Sequence, residues 1–249
     1  MLDGYEKRQF QATTTTGASI THDVYSRGDA AATVVVIQEL PGIGPETLSL
    51  ADRLSAHGFR VVLPHLFGPL GRVAMYRNLV RVMCMRKEFH LFEKNGTSPV
   101  VDWLRALCKD LVESHGASGV GAIGMCLTGN FAISLMADEH VRAGVASQPS
   151  MPLLAQEHLH MSASDVVAIR ERLGEHGPMK ALRFQGDKLC TAAKFDKIKE
   201  TFNDDAERIE LVQLPGNGHS VLTRDLISGG EPAEQALREV LAYFGRKLK

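Results

Sequence analysis

The run Thr33–Ile37, TVVVI, constrains the fold more than any other stretch of this chain. All five residues are β-branched, and such side chains favour extended backbone. Successive side chains of a strand point to opposite faces, so both faces of this one are apolar. A strand of that kind belongs inside a sheet covered by helices on both sides, the habit of parallel sheets.

The rest of the chain repeats that demand. Pro45–His57 carries Leu48, Leu50, Ala51 and Leu54 at helical spacing and stops at Gly58. Arg60–Leu63 reads as the next strand, ended by Pro64. Val101–Glu113 then reads as a helix, Val120–Ile123 as a strand, Asn130–Ala137 as a helix and Ala143–Ala146 as a strand. Ser164–Leu173 is expected to be helical, capped by a serine or aspartate near 162–165. Leu182–Gln185 (strand), Ala192–Phe202 (helix), Ile209–Leu214 (strand) and Pro232–Arg246 (helix) complete the series. Gln9–Thr14 and Ser19–Val24 alternate on either side of a Thr-Gly pair and predict an antiparallel hairpin ahead of it. Strands alternating with helices imply a mostly parallel central sheet with helices on both faces and right-handed crossovers.

No Pro/Ser-rich linker, repeat or low-complexity tract divides the 249 residues, so one α/β domain over 1–249 is expected. The segment 66–96 fits the alternation least well. It is rich in Arg, Met and Phe, with a helical patch around Tyr76–Phe89. It reads equally as an excursion over the sheet edge or active site, or as a surface helix with a loop. A net charge of −1 supplies no field to attract nucleic acid or an anionic membrane. The first residues contain no apolar core of a signal peptide, and no run approaches the roughly 18 apolar residues of a membrane span. Cys84, Cys108, Cys126 and Cys190 are far apart, which argues against a zinc site or a disulfide framework and for a reducing cytoplasm. The ten histidines show no HExxH spacing, and a solvated loop accounts for the nearest pair, His158 and His160. No metal or cofactor is expected, and either a monomer or a small homo-oligomer is compatible with the composition.

The strongest chemical signal is GAIGMCLTGN, residues 121–130. A strand runs into a sharp turn at Cys126 and a helix follows, the layout of a nucleophile elbow. Gly124 stands two before the cysteine. Two after it stands Thr128 where G-x-S-x-G has glycine, and Gly129 comes one later. The N-terminal end of the following helix favours the thiolate, which is the nucleophile. The N–H of Leu127 is placed to stabilise a tetrahedral oxyanion. A buried structural cysteine at a tight turn is the competing reading.

Two further residues weigh against that reading. The strand Leu182–Gln185 ends in Gly186-Asp187, and the strand Ile209–Leu214 ends in Pro215-Gly216-Asn217-Gly218-His219. Nucleophile, acid and histidine then occur in the chain order of the α/β-hydrolase fold, each after a strand, where such sheets gather reacting groups. His219 is the expected base, oriented by Asp187. Each residue alone is ordinary, since Gly-Asp turns and surface histidines are common. After TVVVI comes Gln38-Glu39-Leu40-Pro41-Gly42. A carboxylate following a buried strand is costly unless it has partners. Leu40 is expected to give the second oxyanion N–H, with Glu39 turned towards Cys126; a solvent-exposed glutamate is the alternative.

Over most of its length, from about Gln9 to the final helix, the chain resembles the dienelactone hydrolase family. The likeness is carried by QELPGI at 38–43, GMCLTG at 124–129, QGD at 185–187 and GNGHS at 216–220. It implies a Cys126–His219–Asp187 triad that cleaves a lactone or activated ester, with Glu39 contacting the thiol. It also implies arginines for a substrate carboxylate. Arg224 is the nearest candidate after the histidine, one residue later than the family spacing. Arg81 competes with Arg72, Arg77 and Arg86 in the earlier segment.

A thiolate is itself a good leaving group, so a tetrahedral intermediate expels an enolate or aryloxide more readily than a basic alkoxide. Enol-lactones, thioesters or aryl esters are therefore the expected small-molecule substrates. An esterase or thioesterase of another substrate class, or a binding or redox-sensing protein with an inert Cys126, are the alternatives.

Overall fold

The computed structural model describes residues 2–72, 98–150, 159 and 161–249. Among them is one eight-stranded sheet: β1 (Glu6–Thr13), β2 (Ser19–Arg27), β3 (Thr33–Ile37), β4 (Arg60–His65), β5 (Val120–Met125), β6 (Val141–Ser147), β7 (Met179–Phe184) and β8 (Ile209–Leu214). The spatial order is β1-β2-β4-β3-β5-β6-β7-β8. β1–β2 and β2–β4 pair antiparallel, and the pairings from β4 to β8 are parallel. The chain steps from β3 to β4 on one side, then crosses to β5 on the other. That reversal opens a crevice between the C-terminal ends of β3 and β5.

The helices are α1 (Pro45–Ala56), α2 (Pro99–His115), α3 (Gly129–Leu135), α4 (Ala163–His176), α5 (Ala192–Phe202), α6 (Arg224–Ile227) and α7 (Glu231–Leu248). They cover both faces of the sheet, as TVVVI requires. Val35 and Ile37 join Trp103 and Leu107 of α2, Ile169 of α4 and Phe195 of α5 in one core. Val34 and Val36 join Leu50 and Leu54 of α1 and Leu237 and Phe244 of α7 in the other. Local chemistry sets the helix ends. Ser162 Oγ accepts the Asp165 N–H at 3.0 Å at the start of α4, and Asp165 accepts in return from the Ser162 N–H. α2 stops where Gly116 turns left-handed.

Two expectations change. β4 continues through Pro64 to His65 and pairs with β2 there, Val24 facing Pro64. The β3 pairing reaches only Val62, so Pro64 lies where one flank of the strand is unpaired, and a missing N–H is tolerated there. The short helix α6, which begins five residues past His219, has no counterpart in the sequence reading. Of the segment 66–96, only 66–72 are among the described residues, and Arg77, Arg81 and Arg86 lie outside them. Its first residues are tied to the loop after β3: Gln38 donates to the Phe67 carbonyl at 2.9 Å and accepts from the Leu66 N–H at 3.0 Å. Among the described residues no helix is long and apolar enough to cross a membrane.

Candidate active site

β5 ends at Met125, and Cys126 follows with φ of 56°, left-handed backbone that a non-glycine residue adopts only under constraint. A short 3-10 turn, Cys126–Thr128, leads into α3. Two glycines let the turn close. A Cβ on Gly124 would lie 2.0 Å from the Thr128 carbonyl oxygen, and one on Gly129 would lie 2.9 Å from Cα of Pro149. Thr128 fixes the turn. Its hydroxyl accepts the Met125 N–H at 2.9 Å and sits 3.0–3.2 Å from the carbonyl oxygens of Met125, Gln38 and Ile37. The threonine that departs from G-x-S-x-G thus ties the elbow to the loop after β3.

Asp187 and His219 come together beyond β7 and β8. His219 Nδ1 lies 2.8 Å and 3.0 Å from the two Asp187 oxygens. Asp187 is buried, and Oδ1 also accepts the N–H groups of Leu189 (2.8 Å) and Cys190 (3.0 Å). Arg183, itself buried, brackets that acid loop. Its guanidinium donates to the carbonyls of Gln185 and Cys190 and to the Gln213 side chain, each at 2.9 Å. Burial disfavours the imidazolium of His219, but the bond to Asp187 and the neighbouring Cys126 outweigh it, and the imidazole is pushed up to about 10. Nε2 is buried and has no hydrogen-bond partner among the described residues.

Glu39 is buried at 4% exposure, not solvated. Its carboxylate takes a hydrogen bond from Thr223 Oγ1 at 2.7 Å and one from Ser220 Oγ at 3.3 Å. Burial raises its proton affinity, while Thr223, the charge of His219 and Ser220 oppose that rise. These two hydroxyls satisfy the carboxylate on the His219 side of the crevice. A hydrogen bond to the sulfur comes from the loop after β6: Ser150 Oγ lies 3.3 Å from Cys126 Sγ. Leu40 follows Glu39 and is buried, and Leu127 follows Cys126 and is buried.

Arg224 is exposed at the start of α6 and lines a pocket of about 280 Å³ with Glu39, Pro41, Glu46, Thr47 and Ser220. Thr223, one residue earlier, is the side chain that turns inward to Glu39. Arg72 is exposed. Ser150, Thr223 and Arg183 were not singled out by the sequence. None sits in a recognisable motif; each earns its place through a partner far away in the chain.

A mostly parallel sheet of this order, with a strained cysteine after β5 and an Asp–His pair after β7 and β8, defines an α/β-hydrolase. The model of the dienelactone hydrolase family matches residues 23–248, and the chain belongs to that family. It is a carboxylic ester hydrolase of the dienelactone hydrolase kind. No curated protein matches the chain by sequence. Its fold is similar to that of a Klebsiella pneumoniae subsp. pneumoniae protein assigned as a dienelactone hydrolase (TM-score 0.66, 16% identity, 96% of this chain and 99% of that one). It is also similar to a Pyrococcus furiosus esterase (0.65, 13%, 98% and 94%). A dienelactone hydrolase-like promiscuous phosphotriesterase from metagenomic libraries compares in the same way (0.64, 15%, 98% and 99%).

Two outcomes test this geometry. Gly124→Ala forces a Cβ against backbone, and is expected to lower the unfolding free energy by about 2 kcal/mol or more in urea titration; a variant as stable as the wild type contradicts the close packing. The raised imidazole value of His219 has a signed consequence. The group contributes stability that is fully present below its ordinary 6.5 and is lost as pH rises through about 10. The gap in thermal midpoint between the wild type and His219→Gln should therefore be widest near pH 6 and narrow towards pH 10. A gap that stays constant or widens contradicts the assignment.

Proposed function

We propose that this hydrolase cleaves a lactone or activated carboxylic ester with Cys126 as nucleophile, His219 as proton carrier and Asp187 as its orienting partner. One observation carries the reading. Cys126 is held in strained backbone at the carboxyl edge of the sheet, beside an imidazole already bonded to Asp187 through its far nitrogen.

The thiolate attacks the ester carbonyl, forming a C–S bond and moving the π pair onto oxygen. The N–H groups of Leu127 and Leu40 receive that oxyanion; the first N–H groups of a helical turn have no intrahelical acceptor and can turn to a ligand. The intermediate collapses, the C–O bond breaks, and the leaving oxygen takes the proton of the His219 imidazolium. Neutral His219 then takes a proton from water as that water attacks the thioester. Collapse of the second intermediate breaks the C–S bond, releases the acid and restores the thiolate–imidazolium pair. Asp187 keeps Nδ1 engaged throughout, so that Nε2 is the nitrogen that exchanges the proton. The substrate is a small molecule, and the pocket containing Arg224 is the place for its polar end.

The nucleophile narrows the substrate. Both exits from the first intermediate compete, and the weaker base departs faster. A small set of esters sharing one acyl group tests this. An aryl ester is expected to exceed the matching ethyl ester in kcat/KM by a factor on the order of a hundred, the leaving-group difference being felt fully in the acylation barrier. Cys126→Ala should lose at least about a thousandfold on the aryl ester. Equal rates on the two esters, or an alanine variant with wild-type turnover, defeat the proposal.

A further inference from the structure

The loop after β6 makes a second approach to the sulfur. Cys126 (φ 56°) and Gln148 (φ 36°) are the non-glycine residues with positive φ among the described residues, and they flank the same site. Such a residue is strained and persists only where its surroundings hold it. Gln148 is held on two sides. Its N–H donates to the Leu182 carbonyl of β7 at 2.7 Å, and its side-chain oxygen accepts the Val221 N–H at 3.3 Å, two residues past His219. The left-handed step at Gln148 turns the chain back over the elbow, and Pro149 closes against Gly129.

Ser150 is delivered by that turn. It is 2% exposed, and three contacts fix it. Its N–H donates to the Cys126 carbonyl at 3.1 Å, Asn130 Nδ2 donates to its carbonyl at 3.3 Å, and its hydroxyl meets Cys126 Sγ at 3.3 Å. Asn130 also donates to the Leu127 carbonyl at 3.3 Å, so one side chain joins the elbow to the serine loop. The sulfur is the hydrogen-bond partner of the Ser150 hydroxyl among the described residues. A hydroxyl both donates and accepts, so this buried one can serve the sulfur in either protonation state.

We propose that Ser150 is the residue that positions and stabilises the reactive sulfur of Cys126. Its oxygen accepts from the thiol, and its O–H donates to the thiolate once the proton has moved to His219. Hydrogen bonds to a charged partner are about twice as strong as neutral ones, so the donor favours the thiolate. In the resemblance that contact falls to the glutamate; in this chain Glu39 is engaged by Thr223 and Ser220, and Ser150 supplies it. The proposal rests on Cys126 being the nucleophile.

The test compares wild type, Ser150→Ala, Ser150→Thr and Cys126→Ala. The readouts are the ultraviolet thiolate absorbance that Cys126→Ala removes and the rate of alkylation by iodoacetamide at neutral pH. Loss of one hydrogen bond to a charged group should lower the thiolate-to-thiol ratio of Ser150→Ala by a factor on the order of ten. Alkylation should fall less, by about threefold, because a more basic thiolate is intrinsically more nucleophilic. Ser150→Thr keeps the hydroxyl and should stay within about twofold of wild type, and it carries the test alone if the alanine variant does not fold. A folded Ser150→Ala with wild-type absorbance and alkylation, or a Ser150→Thr that has lost them, overturns the role of Ser150 while leaving Cys126 as nucleophile. A wild type whose ester hydrolysis survives Cys126→Ala overturns both.

Discussion

The hydroxyl of Thr128 is the joint on which the site depends. It binds the elbow to itself through Met125 and to the loop after β3 through the carbonyls of Ile37 and Gln38. Cys126 can hold its left-handed conformation because the residues on either side are immobilised, and that bond network is what immobilises them. The same joint brings Leu40 and Leu127, the two proposed oxyanion donors, to neighbouring loops of one crevice. Gly129, next in the chain, leaves the space through which Pro149 and Ser150 approach. A staple on one flank and a gap on the other set the distance from the sulfur to each of its neighbours.

Around that joint the charged side chains are each held by fixed partners. Asp187 is fully enclosed and occupied by two backbone N–H groups and the imidazole, so it cannot turn to another partner. Arg183 holds both ends of its loop through neutral carbonyls. Glu39 is engaged by two hydroxyls from the loop that carries His219. Nε2 of His219 has no hydrogen-bond partner among the described residues, which leaves it for the proposed exchange with the sulfur and the substrate. A buried polar network with each member engaged is rigid, and rigidity of the reacting groups is what proximity catalysis requires.

The layers, the turn at Cys126 and the loops that bring Asp187 and His219 together were legible in the sequence because each is a local pattern. TVVVI states its burial on both faces in five residues, and Val34 and Val35 do enter opposite cores. Gly124-Met125-Cys126 declares a tight turn, and Asp187 and His219 each follow a strand. What could not be read depends on which strands become neighbours. Ser150 reaches Cys126 only because β6 lies beside β5, and Thr223 reaches Glu39 across 184 residues. Pro64 looked like a strand end because its tolerance depends on where β3 stops pairing. The arginine spacing after His219 hid a division of labour, with Thr223 inward and Arg224 at the pocket rim.

The central claim is that turnover passes through an acyl group on the Cys126 sulfur. Rapid quench of the enzyme during turnover of an aryl ester, followed by tryptic mass analysis, addresses it directly. Trypsin cuts at Arg142, between Cys126 and Ser150, so the two adjacent side chains fall in separate peptides. The account predicts the acyl mass on the peptide containing Cys126 and its disappearance as substrate is exhausted. Turnover with no adduct at any quench time, or an adduct on the peptide containing Ser150, would contradict it.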